Sequence, residues 1–132
     1  MASSPKLSPA ACAALYMKAH EAGRIAAAAK VPTPMVVSEH ANPLNDASPV
    51  AHQWVVAGGV CGFAWVKVRP GNSSFANWVK KNKYGRPDYP SGVAINVKDY
   101  GQSMELKEAY AYAFAKVLSE AGINAYADSR MD

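Results

Sequence analysis

Lys67, Arg69, Asn72, Ser73, Ser74 and Phe75 lie close together in the stretch GFAWVKVRPGNSSFANWVKK, which runs from Gly62 to Lys81. These residue types suit the binding of an anion. Phe63, Trp65 and Lys67 alternate with Ala64, Val66 and Val68, which predicts a half-buried strand. Arg69-Pro70-Gly71 should stop it, because proline removes a ladder donor and glycine permits the turn. Asn72, Ser73 and Ser74 are natural N-caps for a short helix carrying Phe75, Trp78 and Val79. A strand that feeds such a turn aims free N–H groups, hydroxyls and the positive end of a helix at one spot, where phosphate fits. Lys67 and Arg69 would add charge, and Phe75 or Trp78 a stacking surface. The same residues also describe a plain capped helix after a tight turn.

The elements around this stretch follow from local signals. Residues 1–7 read as a flexible lead-in. Ser8 and Pro9 supply an N-cap and a first helical residue, and the alanine-rich run to about Lys30 favours helix. Leu15, Tyr16, Ala19, Ala22 and Ala26 form its small-residue face; His20 and Arg24 either face solvent or point at a ligand. Val31-Pro32-Thr33-Pro34 ends the helix, and Met35 to Val37 make a short strand. The stretch 41–50 reads as a long loop. Gln53 to Ala57 and Val60 to Arg69 read as a hairpin around Gly58-Gly59. Lys80 to Pro90 is a basic, turn-rich segment in which Lys80, Lys81, Lys83 and Arg86 gather near Tyr84 and Tyr89, as a second anion site or a solvated loop. Gly92 to Lys98 alternates as a strand. Ser103 caps a long helix to about Ala121, with a core stripe of Leu106, Tyr110, Ala113, Phe114, Val117, Leu118 and Ala121. Ile123 to Ala127 is a last short strand, leaving 128–132 as a tail that carries Arg130. The pattern predicts one α+β domain over 1–132. Its mostly antiparallel sheet has about five strands, with an N-terminal helix, a short helix and a long C-terminal helix on one face.

Composition narrows the function classes. Charged residues are 18% of the 132, below the usual share of about a quarter, so disorder is not expected. The net charge of +4 suits an anionic ligand but is thin for a duplex-DNA binder. No run approaches the roughly 18 apolar residues of a membrane span, and no apolar signal-peptide core is visible. Cys12 and Cys61 belong to no paired motif, which points to a reduced, cytoplasmic protein. His20, His40 and His52 lack metal-ligand spacing. Nucleophile-elbow, Walker and dinucleotide fingerprints are absent. No catalytic residue, metal or cofactor is expected.

The segments GFAWVKVRPGNSSFANW, QSMELKEAYAYAFAKVL and AGINAYADSRMD resemble the phage-encoded anti-Thoeris sponges, a family that captures the glycocyclic ADP-ribose signal of a bacterial defence system. The resemblance runs from about Val31 onward. It implies a non-enzymatic protein of the infected cell's cytoplasm and a homo-oligomer, at least a dimer and possibly larger, with ligand pockets between subunits. Some family members also hold cyclic oligonucleotides at separate basic sites. On this resemblance Phe75 would stack on the base, Asn72, Ser73 and Ser74 would make polar contacts, and Arg69 and Arg130 would clamp phosphate. Arg86, with Lys83, would belong to the second site. Leu106 and Tyr112 stand on the long helix where more cations would be expected. Two other classes fit the same residues: a small inhibitor acting by contact with a host defence protein, and a single-stranded nucleic-acid binder using the loop from Lys80 to Arg86.

Overall fold

The computed structural model describes residues 4–40, 50–56 and 59–132. Helix α1 (Pro9–Ala29) starts as its sequence dictates: the Ser8 hydroxyl accepts from the Ala11 amide and Pro9 occupies the first turn. It ends at Lys30, just before Val31-Pro32. Strands β1 (Met35–His40) and β2 (Val50–Val56) then pair antiparallel as a separate two-stranded sheet, with Met35 opposite Val56. Of the loop expected at 41–50, residues 41–49 lie outside the described residues, as does the Gly58 turn position, while Val50 already belongs to β2.

The rest of the chain builds the main layer. Strand β3 (Gly62–Arg69), helix α2 (Ser74–Lys81), strands β4 (Arg86–Pro87) and β5 (Val93–Asn96), helix α3 (Met104–Glu120) and strand β6 (Asn124–Met131) follow in order. The sheet order is β4-β5-β3-β6, and every neighbouring pair is antiparallel. A β-α-β-β-α-β chain in this order is the ferredoxin-like split βαβ arrangement. The α+β class, the antiparallel sheet and the three helices agree with the sequence reading. The main sheet has four strands, not five, and the hairpin of β2 with β3 does not form. Strand β3 already has β5 on one side and β6 on the other, so β2 takes β1 instead.

The alternation within β3 decides what each face does. Ala64, Val66 and Val68 are buried with Phe75, Val79, Val93, Ile95, Phe114 and Leu118, and α3 packs on β3 and β6. Helix α1 lies against α3 and buries Cys12, Ala19, Gly23 and Ala27, a face rotated from the expected Ala22 and Ala26. Gly23 is required by closeness: a Cβ there would stand 2.6 Å from the Tyr110 ring and 2.9 Å from its carbonyl oxygen. Lys107, and not Leu106, is buried on α3; its Nζ donates to the Gly62 carbonyl at 3.1 Å and sits 5.3 Å from the Phe63 ring.

Both ends of the chain differ from expectation. Among residues 4–7, Leu7 N–H donates to the Ser74 hydroxyl at 2.9 Å, and that hydroxyl donates to the Pro5 carbonyl at 3.1 Å. This part of the lead-in is therefore tied to α2. The expected tail is strand: residues 128–131 continue β6, with Arg130 opposite Phe63. The sequence signal ended early because Asp128, Ser129 and Arg130 are polar, while the edge of a sheet admits polar residues freely.

Candidate anion-binding site

The turn at 70–75 forms as the sequence indicates, but its chemistry is already committed. Ser73 is the N-cap, accepting from the Ala76 amide at 3.2 Å. The Ser74 hydroxyl holds the N-terminal segment, and the Asn72 carbonyl accepts from the Asn77 side chain. Phe75 is 1% exposed and packs in the core, its ring 6.1 Å from that of Trp78. A ring covered in this way has no face for a base, which removes the stacking role read for Phe75. The cause is periodicity: Phe75 and Val79, one helical turn apart, are both buried in the core. Lys67 is also committed, donating to Asp88 at 2.8 Å and to the Tyr89 carbonyl at 3.2 Å.

Arg69 and Arg130 share the outer face of the sheet but not one site. Arg69 is opposite Asn124 and Arg130 is opposite Phe63. Six residues of strand separate the two positions, roughly 20 Å at the usual strand rise. Within one chain they cannot close on one phosphate. Arg69 lies over the Tyr126 ring at 5.8 Å, and its buried Nε has no hydrogen-bond partner among the described residues. Arg130 lies over the Phe63 ring at 5.6 Å.

Lys83 and Arg86 belong to a different place. With Lys80, Tyr84, Gly85, Pro87, Ala94, Asn96 and Lys98 they line a groove of about 390 Å³. Four of these side chains are cationic and none is acidic. The end of α2 builds one wall. Tyr84 N–H donates to the Val79 carbonyl at 3.0 Å and Lys83 N–H to the Lys80 carbonyl at 3.1 Å, with Lys83 left-handed at φ 62. This is the Schellman ending, in which glycine normally holds the left-handed position. Here a lysine does, at the cost that a Cβ brings to such a conformation. Gly85 then lets β4 approach β5, since a Cβ there would stand 2.7 Å from the Ala94 carbonyl. Lys80 is partly engaged, donating to the Gly71 carbonyl at 2.7 Å. Tyr89, expected near this patch, lies outside the lining.

Asn96 and Lys98 are the groove residues that the linear reading missed. Their signal was present in the alternation of GVAINVK, which sets Ala94, Asn96 and Lys98 on one face beside the basic loop. Three groove residues, Tyr84, Asn96 and Lys98, also line a pocket of about 140 Å³ with Tyr16, His20, Asp99 and Tyr110. Tyr84 stacks on Tyr16 at 4.5 Å. The Tyr110 hydroxyl lies 2.5 Å from His20 Nδ1, and burial pushes that phenol well above its ordinary range. A protonated phenol can donate to Nδ1 or accept from it, and either way the hydrogen bond ties the two rings together across the pocket. Arg24, by contrast, pairs with Glu21 in solvent at 2.6 Å. A cationic groove therefore opens beside a pocket lined by three tyrosines, His20 and Asp99.

Among the described residues no group of three His, Cys, Asp or Glu side chains is placed to hold a metal ion, and no helix is long and apolar enough to cross a membrane. Cys12 is buried and Cys61 partly so, and both are free thiols. Fold and site define a class: a small ferredoxin-like α+β domain with an acid-free cationic groove. No family model matches the chain, and no curated protein or solved structure was found similar to it.

Proposed function

We propose that this chain binds a phosphate-bearing, nucleotide-derived signal and holds it without chemical change. The observation that carries this reading is the acid-free groove of Lys80, Lys83, Arg86 and Lys98 adjoining the pocket of Tyr16, Tyr84, Tyr110 and His20. The cations suit phosphate, and the tyrosines and Asn96 suit a base with polar edges. The likeness to anti-Thoeris sponges gives the ligand its name, glycocyclic ADP-ribose, and gives the protein its task of withholding that signal from a defence system. On this reading the capture site lies at Lys83 and Arg86, and the turn at Asn72–Phe75 serves the fold.

The test is capture and release. Purified protein incubated with glycocyclic ADP-ribose should deplete it from solution, and heat denaturation should return it intact. Replacing Lys83 and Arg86 together by alanine should raise the dissociation constant by at least about tenfold, the loss of two charge-assisted contacts. Recovery of a cleaved product would make the protein an enzyme. Absence of depletion would remove the sponge reading.

One observation favours a second reading. Phe63 and Tyr126 are each 42% exposed on the outer sheet face, with Trp65 between them in register and Arg69 and Arg130 over the rings. Sheets of this topology that carry aromatic residues on the open face can stack single-stranded bases. Tight binding of oligonucleotides with steep salt dependence, unaffected by changes at Lys83 and Arg86, would select it.

A further inference from the structure

Strand β6 is the long free edge of the main sheet. The opposite edge, β4, has two residues, whereas β6 runs for eight with alternate side chains exposed. Among the described residues no strand pairs with its outer side. A long exposed edge is a template for another strand, and natural sheets usually shorten, bend or charge such edges. Here the charges are of both signs, and their spacing is informative.

Backbone parity fixes which groups point outward. Asp132 N–H donates to the Cys61 carbonyl, so in this antiparallel register the even-numbered residues of β6 hydrogen-bond to β3. The N–H and C=O groups of Ala125, Ala127, Ser129 and Met131 therefore face away from the sheet. An incoming copy must pair odd positions with odd positions. Side chains on the outer face then choose among the remaining registers. Centring the pair on residue 128 would set Asp128 against Asp128, and centring it on 130 would set Arg130 against Arg130. Centring on 127 leaves Asp128 facing Tyr126 and Arg130 facing Asn124. Centring on Ser129 places Asp128 opposite the partner's Arg130 and Arg130 opposite the partner's Asp128, and it sets exposed Met131 against the partner's Ala127.

We propose that β6 is a self-recognition edge. A second copy of this chain pairs with it antiparallel about Ser129, joining two four-stranded sheets through reciprocal Asp128–Arg130 ion pairs. In the single chain the Asp128 carboxylate accepts from the Ser129 amide at 2.8 Å, so the most central outward donor is capped until the partner arrives. Pairing transfers that donor to the partner's Ser129 carbonyl and turns the carboxylate toward the partner's Arg130. The Ser129 hydroxyl stays on the inner face, donating to Glu108 at 2.9 Å. This inference does not rest on the groove, which lies on the β4 side.

The test is the oligomeric state of the full chain by sedimentation, with charge reversal and rescue. The unaltered chain should sediment as a dimer or a higher even multiple. Asp128→Arg sets two arginines against each other across the axis, and Arg130→Asp sets two aspartates. Each should weaken association by at least about tenfold, since like charges directly opposed are unfavourable. An equal mixture of the two variants, and the doubly reversed D128R/R130D chain, restore opposite charges and should restore association. Circular dichroism checks that each variant folds. If either single variant unfolds, amide exchange in the unaltered chain replaces it, with the Ala127 and Met131 amides gaining protection as concentration rises. A monomeric parent, single variants that associate like the parent, a mixture that stays apart, or unprotected amides at those two positions would each overturn the proposal.

Discussion

Lys67 is only 4% exposed, and its ammonium group is held by Asp88. A buried ammonium without a partner is costly, whereas one that donates to a carboxylate and a carbonyl is tolerated. The hydrogen bond from Lys67, followed by that from the Tyr89 amide, holds the Asp88 carboxyl below its usual range. A carboxyl with a lowered folded pKa stabilises the fold above its unfolded value, near pH 4, and loses that contribution as pH falls through the lower folded value. Asp88→Asn should therefore lower the melting temperature by about 5 °C at neutral pH. The gap to the unaltered chain should close as both are taken below about pH 4, because protonated Asp88 and asparagine then resemble one another. Melting curves across that range check it, and a gap that persists into strong acid would refute the pairing as its source. The sequence set Lys67 on one face of β3 with Phe63 and Trp65 but could not supply Asp88, which follows β4 in the turn beyond α2. Phe75 shows the converse limit. Its type suggested stacking, and only its spacing with Val79 told that it belongs to the core.

At the scale of elements, the junction of α1 with α3 depends on one missing side chain. Gly23 lets the Tyr110 ring and carbonyl approach where a Cβ would be at 2.6 to 2.9 Å. Glycine in a helix interior normally costs about 1 kcal/mol relative to alanine, so Gly23→Ala should help an isolated α1. In the folded chain it forces the two helices apart, and overpacking of this kind costs about 1–3 kcal/mol. A lower midpoint in urea with an unchanged slope is expected. A rise in midpoint would mean that the helices separate without loss. Displacing Tyr110 would also disturb its bond to His20 and the small pocket they line. Helix boundaries were legible because caps are local: Ser8, Ser73 and Ser103 each accept from an amide three residues on. Strand partners were not legible, because pairing depends on which edges remain free once β5 and β6 have flanked β3.

For the whole molecule, the net charge of +4 understates the field at the groove, since Asp88 is turned toward Lys67 and Glu21 toward Arg24 while Lys83, Arg86 and Lys98 converge. The linear chain did mark Lys80, Lys83, Arg86 and Tyr84 as neighbours, and folding added β5 beside them. A ligand that binds only the folded chain must raise its stability. At a free concentration of 100 times the dissociation constant the gain is about 2.7 kcal/mol. For a domain of this size that corresponds to roughly 8–10 °C in melting temperature. Glycocyclic ADP-ribose should give a shift of that order, with a smaller one from inorganic pyrophosphate at equal concentration and none from uncharged adenosine. Raising salt should shrink the first two together, because contacts to phosphate are screened. Replacing Lys83 and Arg86 by alanine should abolish the pyrophosphate shift while leaving the melting temperature of the free protein within about 2 °C, since both side chains are exposed. A shift that survives this double replacement would move the phosphate site away from the groove, and Arg69 on the outer sheet face, whose Nε has no partner among the described residues, would be the next place to test.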